Sequence, residues 1–356
     1  MAHELVSDDS MVYVGERPWH GLGIKVEPGM SPQRFLEVAK LDWNVDVVPF
    51  PQMDDIVPPK NSCLLVRPPV YKGETKRIAM DIIGENWLPT QNTDAADLFA
   101  EYVKAGSMVM ETAGALKNGE FVWFLAKTTD AFELEGGDEV RGYFMVVNSH
   151  KYGKSLVCKL TATRVVCMNT MSYALNSKAL GKGEWRMSHQ HTLTDKKISE
   201  MKKTLGLTRN IMGTYQEQAE FLANTKMPEK DTVRFLAEMF SPKLIDGTKF
   251  RVVVNGKDFR FDIPKTLEGV ANIDTDLISG RNPFKRAAKA FNNQPGLDLR
   301  SSKGKAWGSL NGVTFFLDHV VASDEEQRMM NSTLGTSLNT KERAMSYLLD
   351  YAKAAA

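Results

Sequence analysis

Three stretches decide the fold: Phe121-Val122-Trp123-Phe124-Leu125-Ala126, Tyr143-Phe144-Met145-Val146-Val147 and Ser155-Leu156-Val157-Cys158-Lys159-Leu160. Each is a short apolar run rich in aromatic and β-branched residues, and turn residues separate them, so each reads as a strand. Upstream, residues 63–67 and 78–83 are strand-like as well. Two helices are expected among these strands. Ser31 can cap a helix over 31–41, Pro32 suits its first position, and Phe35, Leu36 and Ala39 share a face. Over 93–103, Leu98, Phe99 and Tyr102 recur at helical spacing. The opening, Tyr13 to Gly23, is punctuated by glycine and proline and reads as irregular.

The pattern changes after about residue 190. Residues 195–205, 210–223 and 231–240 are helical, and a hairpin interrupts the helices: 250–254, then Asn255-Gly256, then 257–263. Asn-Gly suits the two-residue type I′ turn. A basic, loop-rich segment runs from Arg281 to Lys305, and helical patterns close the chain at 306–320 and 340–353. The expected fold class is α+β: an N-terminal, mainly antiparallel sheet with packed helices, then a largely helical C-terminal part containing one β-hairpin. The expected domains are 1–190, 191–245 and 246–356.

A chain of 356 residues, 42% hydrophobic and 25% charged, can bury a substantial core. No apolar run reaches the roughly 18–20 residues of a membrane span, the start lacks a signal-peptide pattern, and the three cysteines form no disulfide framework. A soluble protein of the reducing cytoplasm is therefore expected. The net charge of +1 hides an asymmetry. Residues 1–140 carry 12 Lys/Arg against 23 Asp/Glu, a balance of −11; residues 141–356 carry 33 against 21, a balance of +12. A basic half attracts polyanions, whereas interleaved charges could equally form a solvated surface.

No dinucleotide-binding, Cys-x-x-Cys, zinc-protease or nucleophile-elbow motif is present, so no catalytic residue, cofactor or metal is implied. Asn148-Ser149-His150-Lys151-Tyr152-Gly153-Lys154-Ser155 matches a phosphate loop except for its first glycine. That loop must open a helix, and a strand follows here, so a hairpin turn is the better reading. Cys158, Cys167, His189 and His191 fit no familiar zinc spacing. Trp19-His20 could line a pocket or anchor a coil on the core. The segment Arg281–Lys305 is more informative: Arg281, Lys285, Arg286, Lys289, Arg300, Lys303 and Lys305 face one acid, Asp298, with Phe284, Phe291 and Trp307 interleaved or adjacent. Cations tracking a backbone beside aromatics that stack on bases are what single-strand binding requires. The alternative is that the aromatics are core anchors and the cations a solvated face.

Val147 to Ser155, followed by Thr163-Arg164-Val165-Val166-Cys167-Met168-Asn169-Thr170-Met171, resembles the phage/plasmid-like protein family, a domain of unknown function of bacteriophages, prophages and plasmids. So do the opening Tyr13-Val14-Gly15-Glu16, continuing to Gly23, the stretch Thr112 to Leu116, and Lys305-Ala306-Trp307-Gly308-Ser309-Leu310-Asn311-Gly312-Val313-Thr314. The family's turn carries an aspartate after the histidine, where this chain has Lys151 and Tyr152. The resemblance implies a bacterial host cytoplasm and a role in phage or plasmid DNA metabolism. The reading reached is a single-stranded-DNA binder, resembling the annealing recombinases Red-beta, RecT and Erf, which use no nucleotide cofactor. It would be a homo-oligomer working with phage or host recombination proteins, through Lys154, Lys159, Arg164 and the seven cations of 281–305. Two other readings stand beside it. One is a nucleotide binder or enzyme with a pocket around His150, Arg164 and Asn169, an arginine at a sheet exit being suited to phosphate. The other is a protein-binding inhibitor of host defence.

Overall fold

The computed structural model describes residues 5, 7, 10–15, 23–51, 57–106, 108–164, 169–172, 184–206, 208–321 and 336–356. For 105–106, 164, 169–172, 205–206, 208–211 and 336 it describes the backbone alone. The chain divides into two compact units. The first comprises Met1–Asp130, Gly142–Thr161 and Ser177–Arg209; the second comprises Ala131–Arg141, Ala162–Asn176 and Asn210–Ala356.

In chain order the first elements are β1 (Met11–Val14), β2 (Ile24–Val26), α1 (Pro32–Val38), β3 (Asp46–Pro49), β4 (Ser62–Arg67), β5 (Ile78–Gly84) and α2 (Asn92–Gly106). They continue with β6 (Val109–Leu116), β7 (Phe121–Leu134), β8 (Asp138–Ser149), β9 (Ser155–Arg164), β10 (Asn169–Ser172), β11 (Glu184–Ser188) and α3 (Asp195–Gly206). The main sheet has the order β10-β9-β8-β7-β6-β1-β2, and β11 also pairs with β9. The run 121–124 is buried at every position, as is 142–149, so these strands have two covered faces. That explains apolar runs without alternation. Helix α2 covers the sheet with Phe99, whose ring stacks on Phe144 at 5.5 Å and tilts against Phe124 at 5.6 Å. A second, three-stranded sheet, β3-β4-β5, belongs to the same unit. From it Arg67, fully buried, sends its fork to both oxygens of Glu74 at 2.6 and 2.8 Å and its Nε to Asn118 O at 2.6 Å. These hydrogen bonds hold the Glu74 carboxyl down at about 2, with burial opposing them.

The later elements are α4 (Thr208–Asn224), α5 (Glu229–Phe240), β12 (Ile245–Asp246), β13 (Lys249–Val254), β14 (Lys257–Asp262), α6 (Leu267–Ala271), α7 (Pro283–Phe291), α8 (Ala306–Phe315), a π-helical turn Phe316–Val321, and α9 (Thr336–Ala355). The expected hairpin forms, with Asn255 at φ 50° and Gly256 at φ 77°, both positive as type I′ demands. Helix α8 runs through the interior, and residues 306–314 are all buried. A Cβ on Gly308 would lie 2.1 Å from Ser302 O, and one on Gly312 would lie 2.4 Å from the Phe291 ring. Only glycine permits that approach. Trp307 donates Nε1–H to Asp138 Oδ2 at 3.0 Å, and Ser301 Oγ donates to the same oxygen at 2.6 Å.

The expected fold class is corrected in its arrangement. The protein is α+β, but strands are distributed along the chain, and the C-terminal part mixes helices with a three-stranded sheet, β12-β13-β14. The N-terminal part carries two sheets, and β1–β2 is a parallel pair. The physical reason is length: β2 has three residues and β12 two, too few for an alternation to register. The segment 281–305 is likewise not all loop. Pro283–Phe291 is a helix whose Asn282 side chain caps Phe284 N, with Phe284, Ala287, Ala288 and Phe291 inward.

Two substitutions test these packing claims by equilibrium unfolding. Glu74→Gln strands the buried Arg67 charge and is expected to cost about 3–5 kcal/mol. Trp307→Ala empties a core position and is expected to cost about 3–5 kcal/mol, against a few tenths if the indole were peripheral.

Candidate functional site

The turn between β8 and β9 is built from the inside outward. Asn148, Ser149 and His150 are fully buried, whereas Tyr152, Gly153 and Lys154 are exposed. The His150 backbone N–H donates to Glu120 O at 2.7 Å. Its ring Nε2 lies 2.8 Å from Asn92 Oδ1, the first residue of α2, and Asn92 Nδ2 donates to Leu41 O at 2.9 Å. With the Asn92 amide oriented in that way, His150 carries its proton on Nε2. Asn148 Nδ2 donates to Thr90 O at 2.9 Å. Trp43 packs its ring 5.6 Å from the His150 ring. Among the described residues no protein group meets Trp43 Nε1, Asn148 Oδ1, Ser149 Oγ or His150 Nδ1.

His189, just after β11, lies against the same cluster. Its ring stacks on Trp87 at 4.2 Å, and Nδ1 donates to Leu88 O at 3.2 Å. Burial lowers its pKa, against the opposing pull of the Leu88 and Ser149 carbonyls. Burial pushes His150 further, to about 3, and the neighbouring His189 adds to the shift. At neutral pH His150 is uncharged and donates Nε2–H to Asn92 Oδ1, and it is too weak a base for proton abstraction near pH 7. Cys158, buried in β9, has its thiol pushed up by burial and is not an activated nucleophile. A groove of about 270 Å³ opens beside Thr90, but Asp94, Asp97 and Glu101 line it, and their charges repel a nucleotide phosphate.

The cations singled out in the sequence have different fates. Lys159 is buried and bonds Glu184 at 3.0 Å, directly across the β9–β11 pair. Burial pushes the Glu184 carboxyl up, but Arg186 and Lys159 outweigh it and hold the carboxyl below its usual range. Lys285 donates to Ile273 O. Arg286 donates to Val320 O at 3.1 Å and lies over the Phe316 ring, which ties α7 to the π-helical turn. Arg300 faces Glu135 at 3.3 Å, both well exposed. Lys154 is exposed in the first unit; Arg281, Lys289 and Lys303 are exposed and Lys305 half-buried in the second. None of these five has an ion-pair partner among the described residues. The aromatics fall inward: Phe284 and Trp307 are essentially fully buried and Phe291 nearly so. Arg164 and Asn169 have strand backbone in the second unit, but their side chains lie outside the described residues, as do Trp19, His20 and Cys167 entirely. His150 belongs to the first unit.

Lys226 was not marked by the sequence, since it stands alone between Thr225 and Met227. It forms an isolated antiparallel bridge with Lys305. Met227 N donates to Gly304 O at 2.9 Å and Ala306 N to Thr225 O at 3.0 Å, flanking the pair on both sides. This is the non-hydrogen-bonded geometry, in which opposed side chains come closest. Two lysines of like charge thus stand opposite each other on paired backbone, a pairing that is unfavourable unless an anion joins them.

The histidine cluster is thus interior to the first unit, and exposed cations without an ion-pair partner among the described residues lie on both units, Lys154 on the first and Arg281, Lys289 and Lys303 on the second. A family profile described as a domain of unknown function (DUF932) matches residues 79–339, and the chain belongs to that family. No curated protein and no solved structure matches the chain. Among the described residues no helix is long and apolar enough to cross a membrane.

The cluster predicts acid lability. His150 titrates near 6.5 when unfolded and near 3 when folded, so its contribution is complete above pH 6.5 and is lost as pH falls toward 3. The melting temperature is expected to drop across that window, and His150→Gln to flatten part of the drop in a pH series.

Proposed function

We propose that the protein binds nucleic acid through the phosphate backbone, using the cations of the second unit. The observation that carries the reading is the Lys226–Lys305 bridge: two lysines opposed on paired backbone, with Lys303 and Lys289 exposed in the same unit and none of the four in an ion pair among the described residues. Such a surface is satisfied by an anion that brings several charges at fixed spacing, as a phosphodiester chain does. Because Phe284, Phe291 and Trp307 are core residues, this surface offers phosphate contacts without stacking, and its binding is insensitive to sequence.

Single-stranded DNA of phage or plasmid metabolism, in a bacterial cytoplasm, is the substrate we assign. That assignment rests on the sequence resemblance and on the absence of motifs for nucleotide hydrolysis. Annealing of complementary strands by a homo-oligomer follows as the activity. The reading centred on a His150 pocket has less support, since the ring is fully buried and a poor base.

The test is fluorescence anisotropy with labelled single strands over a salt series starting near 50 mM, where phosphate contacts are strong. The wild type is expected to bind, with affinity falling steeply as salt rises. Replacing Lys226, Lys289, Lys303 and Lys305 together by Gln is expected to reduce the slope of log affinity against log salt by roughly 0.7 per lost contact. No binding by the wild type, or an unchanged slope in the variant, overturns the proposal.

A further inference from the structure

The base-stacking element missing from the second unit has a counterpart in the first. Tyr152 is 64% exposed, the most exposed aromatic among the described residues, although it stands in a turn held by several hydrogen bonds. Lys154 N donates to Lys151 O at 3.1 Å, closing a four-residue turn, and Gly153 at φ 73° occupies its third position. A positive φ there is the type II geometry and leaves Tyr152 at the second position, the apex. Its own N–H is taken by Asp81 Oδ2 at 2.8 Å. Lys151 bonds Glu120 at 2.8 Å, and behind the turn His150 is locked into Asn92.

The turn is thus held at Lys151, at the Tyr152 N–H and at the Lys154 N–H, and one aromatic ring is left in solvent. An exposed aromatic on a floppy loop would lose much of its binding free energy to ordering; here the ring sits on a rigid apex and that loss is small. Beside it Lys154 is exposed, with no ion-pair partner among the described residues, within reach of a phosphate adjoining a stacked base. A π-face next to an exposed cation is the pairing that single-strand binders use. We infer that Tyr152 is a base-stacking contact for single-stranded nucleic acid, with Lys154 on the adjacent phosphate. This inference rests on the nucleic-acid reading above, but on a different unit and different residues.

The test compares oligothymidylate with an abasic phosphodiester strand of equal length, on the full chain. The wild type is expected to prefer the strand with bases. Tyr152→Ala is expected to weaken oligothymidylate binding by about 5- to 150-fold, the range for loss of one stacked base, with abasic-strand affinity unchanged. Tyr152→Trp is expected to keep the preference. The melting temperature of Tyr152→Ala should match the wild type, because the side chain is solvent-facing. If the wild type binds both strands and Tyr152→Ala binds oligothymidylate equally well, the Tyr152 inference falls and the phosphate reading stands. If Tyr152→Ala instead changes the sedimentation behaviour with affinity unaltered, the ring is a protein contact and the inference also falls. If the wild type binds neither strand, both readings fall together.

Discussion

The first unit depends on a charge taken out of water. Arg67 has no exposed surface, so each arm of its guanidinium must find an acceptor, and it finds them on three separate pieces of chain. Glu74 takes the fork, Pro68 O takes a second bond from Nη1 at 3.0 Å, and Asn118 O takes Nε. The planar faces lie against Tyr71 and Trp43, at 5.1 and 5.8 Å. Gly119, at φ 94°, allows this closeness; a Cβ there would stand 3.0 Å from Trp43 and 3.2 Å from Arg67 Cδ. A buried ion pair of this kind adds little net stability over an apolar substitute, but leaving one partner alone is severe, so it fixes where the chain must pass.

That constraint is transmitted to the exposed turn. With Asn118 and Gly119 held by Arg67 and Trp43, Glu120 follows in a set position. Its carbonyl accepts the His150 N–H and its carboxylate accepts Lys151. The interior histidine then acts as a peg: uncharged because it is buried, and bonded to Asn92, whose amide is itself fixed by the Leu41 carbonyl. The histidine that the motif brings to notice is thus one step removed from any ligand. What it presents to solvent is the apex two residues later.

The second unit is organised by close approach. Gly308 and Gly312 let α8 sit against Ser302 and Phe291, and the buried carboxylate of Asp138 collects Ser301 and Trp307. The loop 296–305 is held down by this packing, and that sets the Lys305 backbone beside Lys226. Surface charge here is a consequence of core geometry.

By itself the sequence determined the α+β class, the main strands and most helices, the Asn255–Gly256 turn, and the hairpin character of 148–155. Those depend on local periodicity and on residues with special backbone preferences, which are written within a few positions of each other. It also determined that positive charge gathers late in the chain. Only the tertiary structure decided the two-sheet layout of the N-terminal part, the third sheet, and the very short strands β2 and β12, which hold too few residues to show a period. It alone sorted the cations, because a lysine reads the same whether its side chain meets Glu184, as Lys159 does, or its backbone pairs with another lysine's, as Lys305 does. It also turned Trp307 inward and Tyr152 outward: an aromatic's composition is identical in core and in solvent, and what separates them is whether distant chain closes over the ring.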